Sequence, residues 1–136
     1  MSKVTNILLV GVGGQGTILA SKILAQVWLP FLKKDGIMIV NTQVIEPMPV
    51  IIGAARYPEG IIEKLQAQRE RVIAVDALTE AKNAGNAKAS NVVLIGVLAK
   101  KTGIDHELWQ KALEAKVPQK LIEVNRQAFA AGYALG

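Results

Sequence analysis

Cysteine is absent from the 136 residues. That removes disulfides, cysteine nucleophiles and thiolate metal sites from this chain. An iron–sulfur cluster would have to draw its cysteines from another chain. Histidine occurs once, at His106. One imidazole cannot build a histidine metal cluster, and any Ser-His-Asp arrangement would have to pass through it. Aromatic residues make up only 4%, so the core must be aliphatic. Long hydrophobic runs are missing too: the longest, Val92 to Ala99, falls short of the ~20 residues that span a bilayer. The net charge is +5, but the lysines are scattered, with no dense basic run and no interleaved aromatics. This pattern reads as solvated surface, and no nucleic-acid partner is expected. Met1-Ser2-Lys3 leads into a short apolar run ended by glycines, without a leader pattern. A cytoplasmic chain without membrane contact is expected.

Hydrophobic residues at 51% and charged residues at 20% describe a globular chain. Its length suits a single domain over residues 1–136. Asn6 to Val10, Ile37 to Val40 and Val72 to Val75 are continuous apolar runs of the kind found in buried parallel strands. Between and after them the spacing predicts helices over Thr17 to Val27, Ile61 to Arg69, Leu78 to Ala84, Ser90 to Lys101 and Asp105 to Lys116. A last helix follows Pro118 and runs through Ala131. Val44 to Val50 carries two prolines and is expected to be extended or looped. Alternating strands and helices give an α/β class, a Rossmann-like parallel sheet flanked by helices. The helix Ser90 to Lys101 is apolar nearly all round, which predicts burial against the sheet or in a subunit interface. One junction is anomalous. Val27 meets Trp28-Leu29-Pro30-Phe31 with no glycine, polar turn or C-cap, which points to a missing segment between Val27 and Trp28.

The main motif is Gly11-Val12-Gly13-Gly14-Gln15-Gly16, a G-x-G-x-x-G loop between a buried strand and a helix. Gly11 permits the tight turn. Gly13 lets a phosphate approach the backbone, and Gly16 lets the helix pack on the strand. The helix start then offers free N–H groups to an anion. The rest of the nicotinamide fingerprint is missing. The strand Ile37 to Val40 ends in Asn41, where an acidic residue should hold the ribose; Asp35 comes too early and Glu46 too late. No Gly-Lys-Ser/Thr follows, so the loop is not a Walker A motif. A nicotinamide site, a site for another anion, and a loop kept for packing or partner contact all remain open.

Asp76 ends a strand, where α/β sites form, and equally suits the N-cap of the next helix. Capping is preferred for it, and also for Asn86 and Asn91. His106 reads as a solvated residue in a first helical turn. Trp28 and Trp109 read as packing or interface residues.

Asn6 to Ala25 (NILLVGVGGQGTILASKILA) closely resembles the start of gamma-type subunits of 2-oxoacid:ferredoxin oxidoreductases. Val40 to Val50 (VNTQVIEPMPV), followed by Tyr57-Pro58, is similar to indolepyruvate oxidoreductase beta subunits in particular. Asp76, then Gly85 to Gly96 (GNAKASNVVLIG) and Val117 to Gly132 (VPQKLIEVNRQAFAAG), match later blocks in order. In that family several tens of further residues stand between the first helix and the block that starts at Trp28. They include sheet strands and a Glu-Val-His-Gly, Gln-Arg-Gly-Gly type loop, and none of them is present here. The resemblance implies a small subunit that is inactive alone. It would support coenzyme A-dependent oxidative decarboxylation of a 2-oxo acid on a large partner carrying thiamine diphosphate and iron–sulfur clusters. Electrons would leave to ferredoxin. On this chain the resemblance implies no catalytic or metal-binding residue and no bound cofactor. Gly11, Gly13, Gly14, Gln15 and Gly16 are the one candidate binding site. A stand-alone nucleotide-binding module and a non-catalytic interaction subunit are the alternatives, and pairing with a second copy stays open.

Overall fold

The computed structural model describes residue 33 and residues 35–46, 48–68 and 71–136. The first expected strand, the glycine loop, the first helix and the Val27–Trp28 junction lie outside the described residues. Among those described, one compact unit takes the residues up to Met38 together with Val44–Val72; a second takes Ile39–Gln43 and Ile73–Gly136.

Two strands form the sheet: β1, Met38–Asn41, and β2, Val72–Val75. Met38 N–H donates to the Arg71 carbonyl at 3.0 Å, and Thr42 N–H donates to the Val75 carbonyl at 2.8 Å. Both partners advance by the same number of residues in the same direction, so the pair is parallel. This is the expected α/β arrangement, with helices between and after parallel strands. β-Branched residues at Ile39, Val40, Val72, Ile73 and Val75 suit the pleated, half-buried surface.

In the first unit, α1 (Met48–Ile51) corrects the expectation of an extended or looped Val44 to Val50. Val44 to Glu46 is irregular, but a single helical turn then forms, with Ile52 N–H donating to the Met48 carbonyl at 3.0 Å. Pro49 is tolerated because N–H groups in a first turn have no intrahelical partner. Next comes α2, Ile61–Gln68, entered from Gly60, whose φ of 68° is left-handed. Leu65 is its buried residue, and its charged side chains point outward.

The second unit holds the larger core. α3 (Ala77–Asn83) leaves β2 through Asp76 and stops at Ala84-Gly85; Gly85 has a φ of 105° that side chains rarely adopt. After a 3-10 turn at Ala87–Ala89 comes α4, Ser90–Thr102, closed by left-handed Gly103. α5 (His106–Lys116) is capped by the Asp105 carboxylate, which accepts from Glu107 N–H at 2.9 Å. Pro118 and a 3-10 turn at Gln119–Leu121 lead into α6, Ile122–Leu135. The last helix runs past its expected end at Ala131, because Gly132 is not a stop here but a contact.

Two apolar clusters meet along α4. Val75, Ala77, Ala81, Val93, Val97 and Ala128 form one; Ala99, Leu113, Ile122 and Phe129 form the other, and Val92 packs against both. This explains the helix that is apolar nearly all round: its perimeter is divided between α3 and the sheet on one side and α5 and α6 on another. α4 and α6 cross at glycines. A Cβ on Gly96 would lie 2.7 Å from Tyr133 N, and one on Gly132 would lie 2.7 Å from the Val93 carbonyl carbon. A mid-helix glycine costs about 1 kcal/mol of helix propensity, and here the close approach of two backbones offsets it.

Candidate functional site

The five loop residues Gly11, Gly13, Gly14, Gln15 and Gly16 lie outside the described residues. The described part of the sheet offers its carboxyl edge, the place where ligands bind in open α/β folds. There β1 ends in Asn41, Thr42 and Gln43, and β2 ends in Asp76. Gln43 N–H donates to Asn41 Oδ1 at 3.2 Å, and Asn41 Nδ2 reaches Gln43 Oε1 at 3.4 Å. Thr42 Oγ1 donates to the Val75 carbonyl at 3.3 Å, doubling the backbone bond that closes the strand pair. The edge is therefore a self-bonded polar rim. In the sequence Asn41 stands where a nicotinamide site needs an acid, and Asn41 to Gln43 belong to the block that carries the family resemblance. The signal for the rim itself is the polar triplet directly after an apolar strand.

Asp76 acts as an N-cap: its Oδ1 accepts from Thr79 N–H at 3.0 Å. The Thr79 backbone N–H and then its hydroxyl, followed by Lys82, hold the Asp76 carboxyl below its ordinary value of 3.8. A depressed folded-state pKa contributes stability above the ordinary value, and the contribution is lost as pH falls through the lowered one. Asp76→Ala is expected to lower the thermal midpoint at pH 7, with the gap to the wild type closing in acid. Asp76→Asn, which keeps the cap acceptor, is expected to lose less. Thermal unfolding of the three proteins from pH 7 to pH 2 checks this.

Other candidates divide. Asn86 caps the 3-10 turn, accepting from Lys88 N–H at 2.9 Å, as expected. Asn91 does not cap; it is an exposed residue inside α4, which has no side-chain cap bond at its start. His106 is exposed, and its ring packs at 5.0 Å from Tyr133 and 5.7 Å from Phe129. Trp109 packs against Phe129 at 6.3 Å, so its reading as a packing residue holds. Trp28 lies outside the described residues.

The rim can donate and accept hydrogen bonds. Its one hydroxyl, on Thr42, is spent on a backbone carbonyl, and its one carboxylate, on Asp76, is spent on a cap. His106 belongs to the aromatic cluster of α5 and α6 and makes no hydrogen bond with the rim. The described residues hold no group of three His, Cys, Asp or Glu placed to bind a metal ion. With no cysteine in the chain, this donor set does not fit an iron–sulfur cluster. Among the described residues no helix is long and apolar enough to cross a membrane.

A parallel strand pair with covering helices defines an α/β protein. Residues 26–135 match the family model described as pyruvate ferredoxin/flavodoxin oxidoreductase, and the chain belongs to that family. The glycine loop precedes the matched stretch. The chain is similar to proteins named indolepyruvate oxidoreductase subunit IorB. With that of Archaeoglobus fulgidus it is 37% identical over 109 residues, covering 76% of this chain and 53% of the relative. With that of Thermococcus kodakarensis it is 34% identical over 110 residues, covering 77% and 54%. With that of Methanothermobacter thermautotrophicus it is 28% identical over 109 residues, covering 77% and 56%. The chain thus spans about half the length of the curated relatives it matches. No solved structure matches it.

Proposed function

We propose that this chain is the small subunit of a 2-oxoacid:ferredoxin oxidoreductase of the indolepyruvate type. The family match over residues 26–135 carries this reading, and the names of the relatives select the indolepyruvate branch. In this reading thiamine diphosphate and the iron–sulfur clusters belong to a large partner subunit, which decarboxylates the 2-oxo acid, passes the acyl group to coenzyme A and sends electrons to ferredoxin. The lack of cysteine supports that division, because the cluster ligands have to come from elsewhere. This chain supplies a cytoplasmic α/β domain that docks on the partner, with Gly11, Gly13, Gly14, Gln15 and Gly16 as its site for an anionic group or for the partner's backbone.

The test is reconstitution. The chain is coexpressed with the large subunit of an indolepyruvate oxidoreductase, and viologen reduction is followed with indolepyruvate and coenzyme A. The two chains are expected to copurify and to turn over together, with no turnover by either one alone. Failure to copurify, or oxidation of the 2-oxo acid by the isolated small chain, would overturn the reading. Copurification without activity would make it an interaction subunit. Saturable micromolar binding of NAD, NADP or ATP by the isolated chain would favour the stand-alone nucleotide module.

A further inference from the structure

Away from the sheet, the 3-10 turn before α4 and the α5–α6 connection enclose an open cleft of about 250 Å³. Part of its lining is apolar: Ala89 is buried, and Val117 and Leu121 are half-buried. Lys88 and Lys116 both line the cleft, and no carboxylate does. The nearest acid on α5 is Glu114, and it is already paired with Arg126 of α6. Neither lysine has a carboxylate within salt-bridge distance among the described residues. Asn86 spends its Oδ1 on Lys88 N–H, which leaves its Nδ2 hydrogens as further donors. Asn125 is held in the wall by its bond to the Leu121 carbonyl at 2.8 Å.

An apolar lining shared with two unpaired cations selects a particular ligand chemistry. A neutral apolar molecule leaves the ammonium groups unused, and a bare small anion leaves the apolar residues uncovered. We propose that this cleft binds a small organic carboxylate with an apolar body, about the size of phenylacetate. The carboxylate faces Lys88, Lys116 and the Asn86 amide; the hydrocarbon lies on Val117 and Leu121. The volume is below that of sites for drug-sized ligands, which suits a molecule of one ring. The inference rests on the cleft alone and not on the family reading.

The test is a titration of the full chain, ¹⁵N-labelled, with phenylacetate, acetate and benzyl alcohol in separate arms. Phenylacetate is expected to shift the Asn86 carboxamide and the Ala89 and Leu121 amides saturably, at concentrations well below those needed for the other two. The Lys88→Gln/Lys116→Gln variant is expected to weaken this about fivefold, since exposed charge contacts are individually weak. The Lys88→Arg/Lys116→Arg variant, which keeps both charges, is expected to retain it. Equal response to acetate or to benzyl alcohol, equal affinity in the Gln variant, or no saturable shift at these residues would each overturn the proposal.

Discussion

Gly132→Ala is expected to destabilise the protein by about 3 kcal/mol, the upper range for forcing an extra carbon into a packed core. The new Cβ would stand 2.7 Å from the Val93 carbonyl carbon and closer still to its oxygen. Both sides of this contact are backbone, so no rotamer change relieves it. α4 and α6 would have to move apart, loosening Val97, Ala128 and Phe129, which are fully buried. The sign is diagnostic. At an exposed helical site the same substitution stabilises by about 1 kcal/mol; here it must do the reverse. Urea unfolding checks it, with a lower midpoint expected at an unchanged slope. A wild-type or higher midpoint would show that the helices do not cross so closely. Gly96→Ala strikes the same crossing, where Tyr133 N lies 2.7 Å from the added carbon. The double variant is expected to cost less than the sum of the two, because the first separation makes room for the second.

Phe129→Ala should cost about 4 kcal/mol, the usual range for removing a buried aromatic side chain. Phe129 is fully buried and joins three elements. It packs with Ala99 of α4 and Leu113 of α5, and its ring lies 6.3 Å from Trp109 and 6.1 Å from Tyr133. Aromatics are scarce in this chain, so one ring carries an unusual share of the cohesion between α5 and the rest of the unit. Removing it would also uncover Trp109, whose Nε1 is buried without a hydrogen-bond partner among the described residues. In a Trp28→Phe background the Trp109 emission is expected to shift to the red as the urea midpoint falls. Phe129→Leu should cost less, since most of the volume is kept. An unchanged emission together with an unchanged midpoint would mean that α5 is held by other contacts, such as the Glu114–Arg126 ion pair on its exposed side.

Much of the second unit was legible in the sequence because its signals are local. Val72 to Val75 is a strand with the expected ends. Asp76, Asn86 and Asp105 cap because a short polar side chain can reach N–H groups two or three residues on, wherever the helix later packs. Gly103 closes α4 because a left-handed residue there is cheapest as glycine. The family, too, was legible in linear blocks, from Val40 to Gly132. The turn at Met48–Ile51 was not, because two prolines mask a helical start that tolerates them. Asn91 does not cap, against expectation, because the 3-10 turn at Ala87–Ala89 passes directly into α4 and leaves no separate start to cap.

The sequence by itself limited the chemistry that these 136 residues can perform. Without cysteine and with one histidine, these residues cannot ligate a cluster or build a histidine-based centre, whatever their arrangement. It also determined where helices start and stop, since those choices depend on neighbours two to four residues away. Tertiary structure alone decided what α4 faces. An all-round apolar helix has no preferred side, and only the approach of Gly96 to Gly132 fixes which stripe meets α6. It alone brought Lys88 and Lys116 to one cleft, because the α5–α6 connection must fold back over the 3-10 turn before residues so far apart in sequence can share a ligand. Local preference acts through backbone geometry within a turn or two. Long-range contact depends on how whole surfaces fit, and no short stretch of sequence carries that information.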